Sequence, residues 1–84
     1  FVEALKDYMI INTKDKKYTI HSTMKDIEKK LPSSVFQRVH RSYIINIQKI
    51  DYIKHSNLYL EDFDKEIPIG GSYKSIIGDR INLL

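Results

Sequence analysis

Apolar and polar residues alternate along most of this chain with a period close to two, the spacing of strands that bury one face. Residues 1–5 and 8–13 are rich in aromatic and β-favouring side chains, and the polar pair Lys6-Asp7 separates them. Two strands joined by a tight connection are predicted there. In the second, Tyr8 and Ile10 alternate with Met9 and Ile11, so both faces carry apolar groups and the strand is expected between two layers. A charged turn over residues 14–17 follows, and then Tyr18 and Ile20 oppose Lys17, Thr19 and His21 as in a half-exposed strand. The spacing then becomes helical: Met24, Ile27 and Leu31 lie at i, i+3 and i+7. Ser22 or Thr23 serves as the N-cap, with Asp26 placed as in a capping box. Pro32 ends this helix, because the residue before a proline is pushed out of the α region. Lys25, Glu28, Lys29 and Lys30 form its solvated outer face.

The stretch over residues 36–46 reads Phe-Gln-Arg-Val-His-Arg-Ser-Tyr-Ile-Ile-Asn and interleaves core-forming with hydrogen-bonding groups. Its odd positions Val39, Tyr43, Ile45 and Ile47 look inward, and Arg38, His40 and Ser42 look outward. Arg41 breaks the series. Either an acid meets it inside, or a bulge or turn near residues 40–42 re-aims it into solvent. The cost of burying a charge favours the second. Residues 47–55 are expected to continue as a strand with Ile50 and Tyr52 on one face. Ser56-Asn57 supplies turn chemistry, Leu58-Tyr59-Leu60 returns as the hairpin partner, and residues 62–65 form a second turn. Residues 66–69 make a short strand that Pro68 assigns to a sheet edge. Gly70-Gly71-Ser72 breaks it and offers a cap. Tyr73, Ile76, Ile77, Ile81 and Leu84 then have helical spacing, interrupted by Gly78, which weakens a helix by about 1 kcal/mol relative to alanine. The sum is about seven or eight strands and two helices, mainly β, with no βαβ alternation to suggest a parallel sheet.

A length of 84 residues sets the scale of one small domain, spanning residues 1–84. The opening at Phe1, inside an apolar stretch, suggests a piece of something longer. With no cysteine in the sequence, disulfides and thiolate metal sites are excluded, which fits a cytoplasmic setting. No apolar run approaches the roughly 18 residues of a membrane-spanning helix. The net charge of +3 is modest but unevenly placed. Residues 29–50 contain Lys29, Lys30, Arg38, Arg41 and Lys49 and no acid, whereas Glu61, Asp62, Asp64 and Glu66 cluster later. Such a split gives a fold a positive and a negative side.

Catalytic readings find little support. His40, Arg41 and Tyr43 have the chemistry of an acid, an anion holder and a proton donor. The chain has no cysteine, no glycine-rich phosphate loop and no metal-ligand spacing. His21, His40 and His55 have no short-range relation, so a nuclease pairing His40 with His21 or His55 is the weakest alternative. Neither catalysis, nor a cofactor, nor a metal is expected. Nucleic-acid binding explains more. An arginine at a turn makes forked contacts to guanine or phosphate, and a serine such as Ser42 donates to phosphate oxygens. Glycines at 70 and 71 permit close backbone approach, and the amides of residues 72–74 at a helix start favour an anion. A protein-interaction module that adds a peptide strand at the edge near residues 66–69 is the alternative of another class, and Pro68 disfavours it.

Leu31-Pro32, the run over residues 36–46, Ile67-Pro68-Ile69 and Ser72-Tyr73 together resemble the LytTR DNA-binding domain of LytR/AlgR-type bacterial response regulators. The likeness covers nearly the whole chain. It implies an elongated antiparallel β fold of several small sheets with one short internal helix and a C-terminal helix. It further implies a sequence-specific double-stranded DNA binder whose loops enter successive major grooves at promoter direct repeats. The implied partners are a second copy on the adjacent repeat and a sensor kinase acting through a receiver domain that these residues do not include. By position, the implied contacts are Lys6, Asp7 and Tyr8 in the first loop, Arg41 with Ser42 and nearby His40 in the centre, and Gly71, Ser72 and Lys74 in the third. Many relatives carry Ser-Arg where this chain has Gly70-Gly71, so Lys74 or backbone amides are left to replace that arginine. Phe36, Val39, Tyr43, Ile45 and Ile69 are expected in the core, and Arg38 in a structural pairing.

Overall fold

The structure is a computed structural model that describes residues 1–82. Leu84, expected on the last helix, lies outside the described residues. The short connection at Lys6-Asp7 folds β1 (Val2–Leu5) against β2 (Tyr8–Asn12), with Leu5 opposite Tyr8. β3 (Lys17–Ile20) adds to the far side of β2, and α1 (Met24–Lys30) follows. β4 (Phe36–His40) and β5 (Tyr43–Asn46) form a second hairpin, and β5 pairs with β1. The result is a five-stranded antiparallel sheet in the order β3-β2-β1-β5-β4. A three-stranded antiparallel sheet of β6 (Ile50–Lys54), β7 (Asn57–Leu60) and β8 (Glu66–Pro68) packs beside it, followed by α2 (Lys74–Asn82). The long dimension is 34 Å against 24 and 21 Å, so the body is elongated.

Two apolar clusters hold these layers together, and β5 lies between them. On one side Ile44 joins Val2 and Met9 of the sheet with Met24 and Ile27 of α1. On the other, Ile45 and Val39 meet Leu58, Leu60, Ile67, Ile69 and Ile77. Ile44 and Ile45 are 1% and 0% exposed, so consecutive residues of one strand fill opposite cores. Burial of each such side chain contributes about 1.5–3 kcal/mol. Thr23 is the N-cap of α1, its hydroxyl accepting from the Asp26 amide at 3.1 Å. Leu31 ends the helix in an extended conformation, φ −90° and ψ 142°, as its position before Pro32 requires.

Several expectations need correction. The strand placed between two layers is β5; in β2 Met9 is buried, but Tyr8 is 49% exposed. The strand expected over residues 47–55 is interrupted by a 3-10 turn at Ile47–Lys49, capped where the Asn46 side chain accepts from the Gln48 amide. A register shift between Ile50 and Tyr52 then separates their environments. Ile50 packs on the core, and Tyr52 stacks on Tyr59 at the surface with centroids 4.4 Å apart. The hairpin turn falls on His55-Ser56, both with positive φ, and Asn57 already belongs to β7. Ser72 supplies no side-chain cap; a 3-10 turn, Gly71–Tyr73, leads into α2 instead. On α2, Ile77 is buried and Ile81 packs on the core, but Ile76 is 44% exposed.

Candidate nucleic-acid interface

Antiparallel pairing fixes where the loops emerge. Glu3 lies opposite Tyr43, and the Ala4 amide donates to the Ser42 carbonyl at 2.8 Å. The β1–β2 turn at Lys6-Asp7 and the β4–β5 turn at Arg41-Ser42 therefore leave the same end of the large sheet. Lys6 adopts φ 56°, in the left-handed region, to close its two-residue turn. The third segment is tied to the same place, because the Gly70 amide donates to the Val39 carbonyl at 2.7 Å. A Cβ on Gly70 would stand 3.2 Å from the Tyr73 ring, so hydrogen at this position is what lets that ring close over the loop. Arg80 draws α2 onto the start of β4, donating to the Gln37 side chain at 2.9 Å and to the Ser34 carbonyl at 3.1 Å.

Arg41 is the residue that breaks the inward series, and the structure resolves it. The register of β4 on β5 shifts between Arg38 and His40, and Arg41 falls in the turn, exposed to solvent. Neighbouring groups hold the backbone carbonyls of residues 39–42. Gly70 takes that of Val39, Arg38 takes those of His40 and Arg41 at 3.3 and 2.8 Å, and Ala4 takes that of Ser42. The Ser42 amide donates to His40 Nδ1 at 3.1 Å, so that nitrogen is the acceptor and the His40 ring proton sits on Nε2. Arg38 is also 3.5 Å from Glu28 of α1, the structural pairing its position suggested.

Lys6, Asp7, Tyr8, Arg41, Gly71, Ser72 and Lys74 are exposed, and His40 and Ser42 are half-buried. Among the described residues neither Lys6, Arg41 nor Lys74 forms an ion pair. The Tyr8 ring rests edge-on against His21, with centroids 5.4 Å apart. An open cleft of about 740 Å³ joins Lys6 to His21, Ser22 and Lys30. That neighbourhood carried no sequence signal, because only the pairing of β3 with β2 brings residue 21 back beside the first turn. Asp62 borders a different cleft with Lys14 to Lys17, where the β2–β3 connection leaves the opposite end of the sheet. Between these ends, Tyr43 donates to Glu3 at 3.0 Å and Lys65 meets the same carboxylate at 3.2 Å. Partial burial, and then the Glu3 bond, push the Tyr43 hydroxyl above its ordinary value; the bond to Glu3 raises Lys65.

The three histidines sit on separate elements. His21 contacts Tyr8, His40 contacts Tyr43, and His55 occupies the β6–β7 turn. Among the described residues no three His, Asp or Glu side chains converge as metal ligands do. No described helix is long and apolar enough to cross a membrane.

The family described as LytTr DNA-binding domain matches residues 1–81. The sensory transduction protein LytT of Bacillus subtilis is 41% identical over 68 residues, 75% of this chain and 28% of that protein. The heme-containing CO-sensing transcriptional regulator RcoM 2 of Paraburkholderia xenovorans is 33% identical over 70 residues, 77% of this chain and 26% of that protein. The transcriptional regulatory protein YpdB of Escherichia coli K12 is 32% identical over 77 residues, 86% of this chain and 32% of that protein. The chain thus spans less than a third of the length of these relatives. Its fold matches the solved LytTr DNA-binding domain of a putative methyl-accepting/DNA response regulator from Bacillus cereus. The TM-score is 0.82 at 27% identity, covering 95% of this chain and 77% of that one. The match over residues 1–81, together with the shared fold, makes this chain a member of the LytTr DNA-binding domain family.

Proposed function

We propose that this domain binds double-stranded DNA sequence-specifically and serves as the output part of a cytoplasmic transcription regulator. The observation that carries the reading is the convergence of the Lys6-Asp7 and Arg41-Ser42 turns at one end of the sheet, the second carrying an exposed arginine that forms no ion pair among the described residues. A guanidinium held on a rigid turn suits the forked acceptors of guanine in a major groove. Lys6 and Lys74 act as phosphate clamps on either side, and Ser42 and Ser72 donate to phosphate oxygens. Asp7, Tyr8, His40 and Gly71 complete the contact surface, with the Gly71 backbone close to the duplex. A surface this small grips one site weakly, so a second copy on an adjacent direct repeat supplies the rest of the affinity. An upstream receiver domain answering a sensor kinase controls that pairing.

Selection of bound fragments from a random duplex pool tests the proposal. Enrichment of one short motif, recovered with a fixed repeat spacing, is the expected outcome. A pool that stays random after several rounds, while retention falls steeply with salt, would reduce the activity to non-specific backbone attraction.

A further inference from the structure

Four successive backbone carbonyls, residues 39–42, carry the turn that presents Arg41, and two of them are held by one side chain. The register of β4 on β5 shifts between Arg38 and His40, His40 pairs with Tyr43 beyond the shift, and the Arg41 carbonyl falls in the turn outside the ladder. That carbonyl needs a donor from elsewhere, and an exposed two-residue turn with an unheld carbonyl samples many orientations. Arg38 meets it and the carbonyl of His40, its Nε at 3.3 Å from the His40 carbonyl and its Nη2 at 2.8 Å from that of Arg41. Its Nη1 reaches 3.5 Å to Glu28, which ties the fork to α1 and through Met24 and Ile27 to the core. The Arg38 side chain is only 21% exposed, and each of its three nitrogens has a partner, two on the turn and one on Glu28.

We infer that Arg38 is a positioning residue for sequence discrimination: its guanidinium sets the direction in which Arg41 meets the base, without itself touching DNA. The inference rests on the reading of Arg41 as the base-reading group. Guanidinium geometry is essential to the role, because a lysine ammonium is a single point of donation and cannot span two carbonyls and a carboxylate in one plane. Groups that orient a reading side chain act on specificity more than on total charge, as supporting residues do around metal ligands.

The test compares the parent with Arg38→Met and Arg38→Lys, measuring affinity for the selected duplex and a scrambled duplex across a salt series. In both variants the selected-to-scrambled ratio falls about tenfold, the lower end of what loss of a supporting group costs at metal sites. The salt slope stays that of the parent in both. A slope that drops by about 0.9 in Arg38→Met marks Arg38 as a direct phosphate contact and overturns the inference. Full recovery of the ratio in Arg38→Lys overturns it too, since charge alone then suffices. Leu60→Ala, whose side chain is buried in the other cluster, serves as the control for general destabilisation and keeps the parent ratio at a temperature where it is folded. A readout without DNA separates this inference from the proposed function. In Arg38→Met the Ser42 amide, bonded to His40 Nδ1, exchanges with solvent faster than in Leu60→Ala. Unchanged Ser42 exchange shows that Arg38 does not hold the turn, whatever the duplexes do.

Discussion

Arg41→Ala removes the guanidinium while leaving the turn that carries it. The Arg41 contact to Arg38 is made by its backbone carbonyl, which alanine retains. The side chain is exposed and, among the described residues, pairs with no carboxylate. Folding stability should therefore change by no more than about 0.5 kcal/mol, the range of ordinary surface substitutions. Binding should change far more. One good forked base contact discriminates by about 1–3 kcal/mol, which is about 5- to 150-fold in dissociation constant. Fluorescence anisotropy on the selected duplex and on a duplex altered at one base pair gives both numbers, and thermal unfolding without DNA gives the stability. The variant should bind the two duplexes almost equally and melt with the parent. If Arg41→Ala keeps the full preference of the parent, base reading lies elsewhere. A melting temperature several degrees lower would mean that the side chain supports the fold, and the outward reading of this residue would be lost.

Lys6→Ala and Lys74→Ala should weaken binding to every duplex alike and reduce the slope of log affinity against log salt by about 0.9 each; unchanged slopes would remove these loops from the backbone contacts. Gly70→Ala should cost about 1 kcal/mol, the low end of overpacking, because its Cβ would stand 3.2 Å from the Tyr73 ring and 3.7 Å from the His40 backbone. Gly71→Ala meets nothing within 4 Å and should be neutral or slightly stabilising, so equal melting temperatures for the two variants would contradict the packing at Gly70. The hydrogen bond to Glu66 pushes the Tyr59 hydroxyl up to about 12 from its ordinary value of 10.0. Because the raised value belongs to the folded state, the contribution of this bond is complete below pH 10 and is lost as the pH climbs toward 12. Glu66→Gln should bring Tyr59 back toward 10, followed by NMR of its ring carbons; a Tyr59 titration that ignores residue 66 would show that the bond does not form.

The local features legible in the chain were those that depend on near neighbours. Thr23, Asp26 and Pro32 bound α1 because capping and the restriction before proline act within one turn of helix. Pro68 assigned its strand to an edge because a missing donor is a property of the residue itself. Arg41 could be read as a group re-aimed by a bulge or turn, since an unpaired buried charge is too costly to be common, and the register shift after Arg38 is that bulge. The DNA-binding expectation came from the ordered motifs over residues 31–73, whose resemblance to the family survives comparison over residues 1–81.

Tertiary structure decided the rest. Strand alternation suggests which faces are apolar but not which sheet covers them, so β2 and β5 exchanged roles: Ile44 and Ile45 fill two cores, and Tyr8 stays at the surface. Bulges reset the period of two, and nothing in Ile50-Asp51-Tyr52 announces one. The bonds of residue 4 to residue 42 and of residue 70 to residue 39, which bring the three loops to one end, arise from pairings between segments far apart in the chain. Sequence thus determined which groups are present and where the backbone must bend, because those depend on each residue's own chemistry. Which groups stand together was decided only when non-local hydrogen bonds and shared cores closed the two sheets on each other.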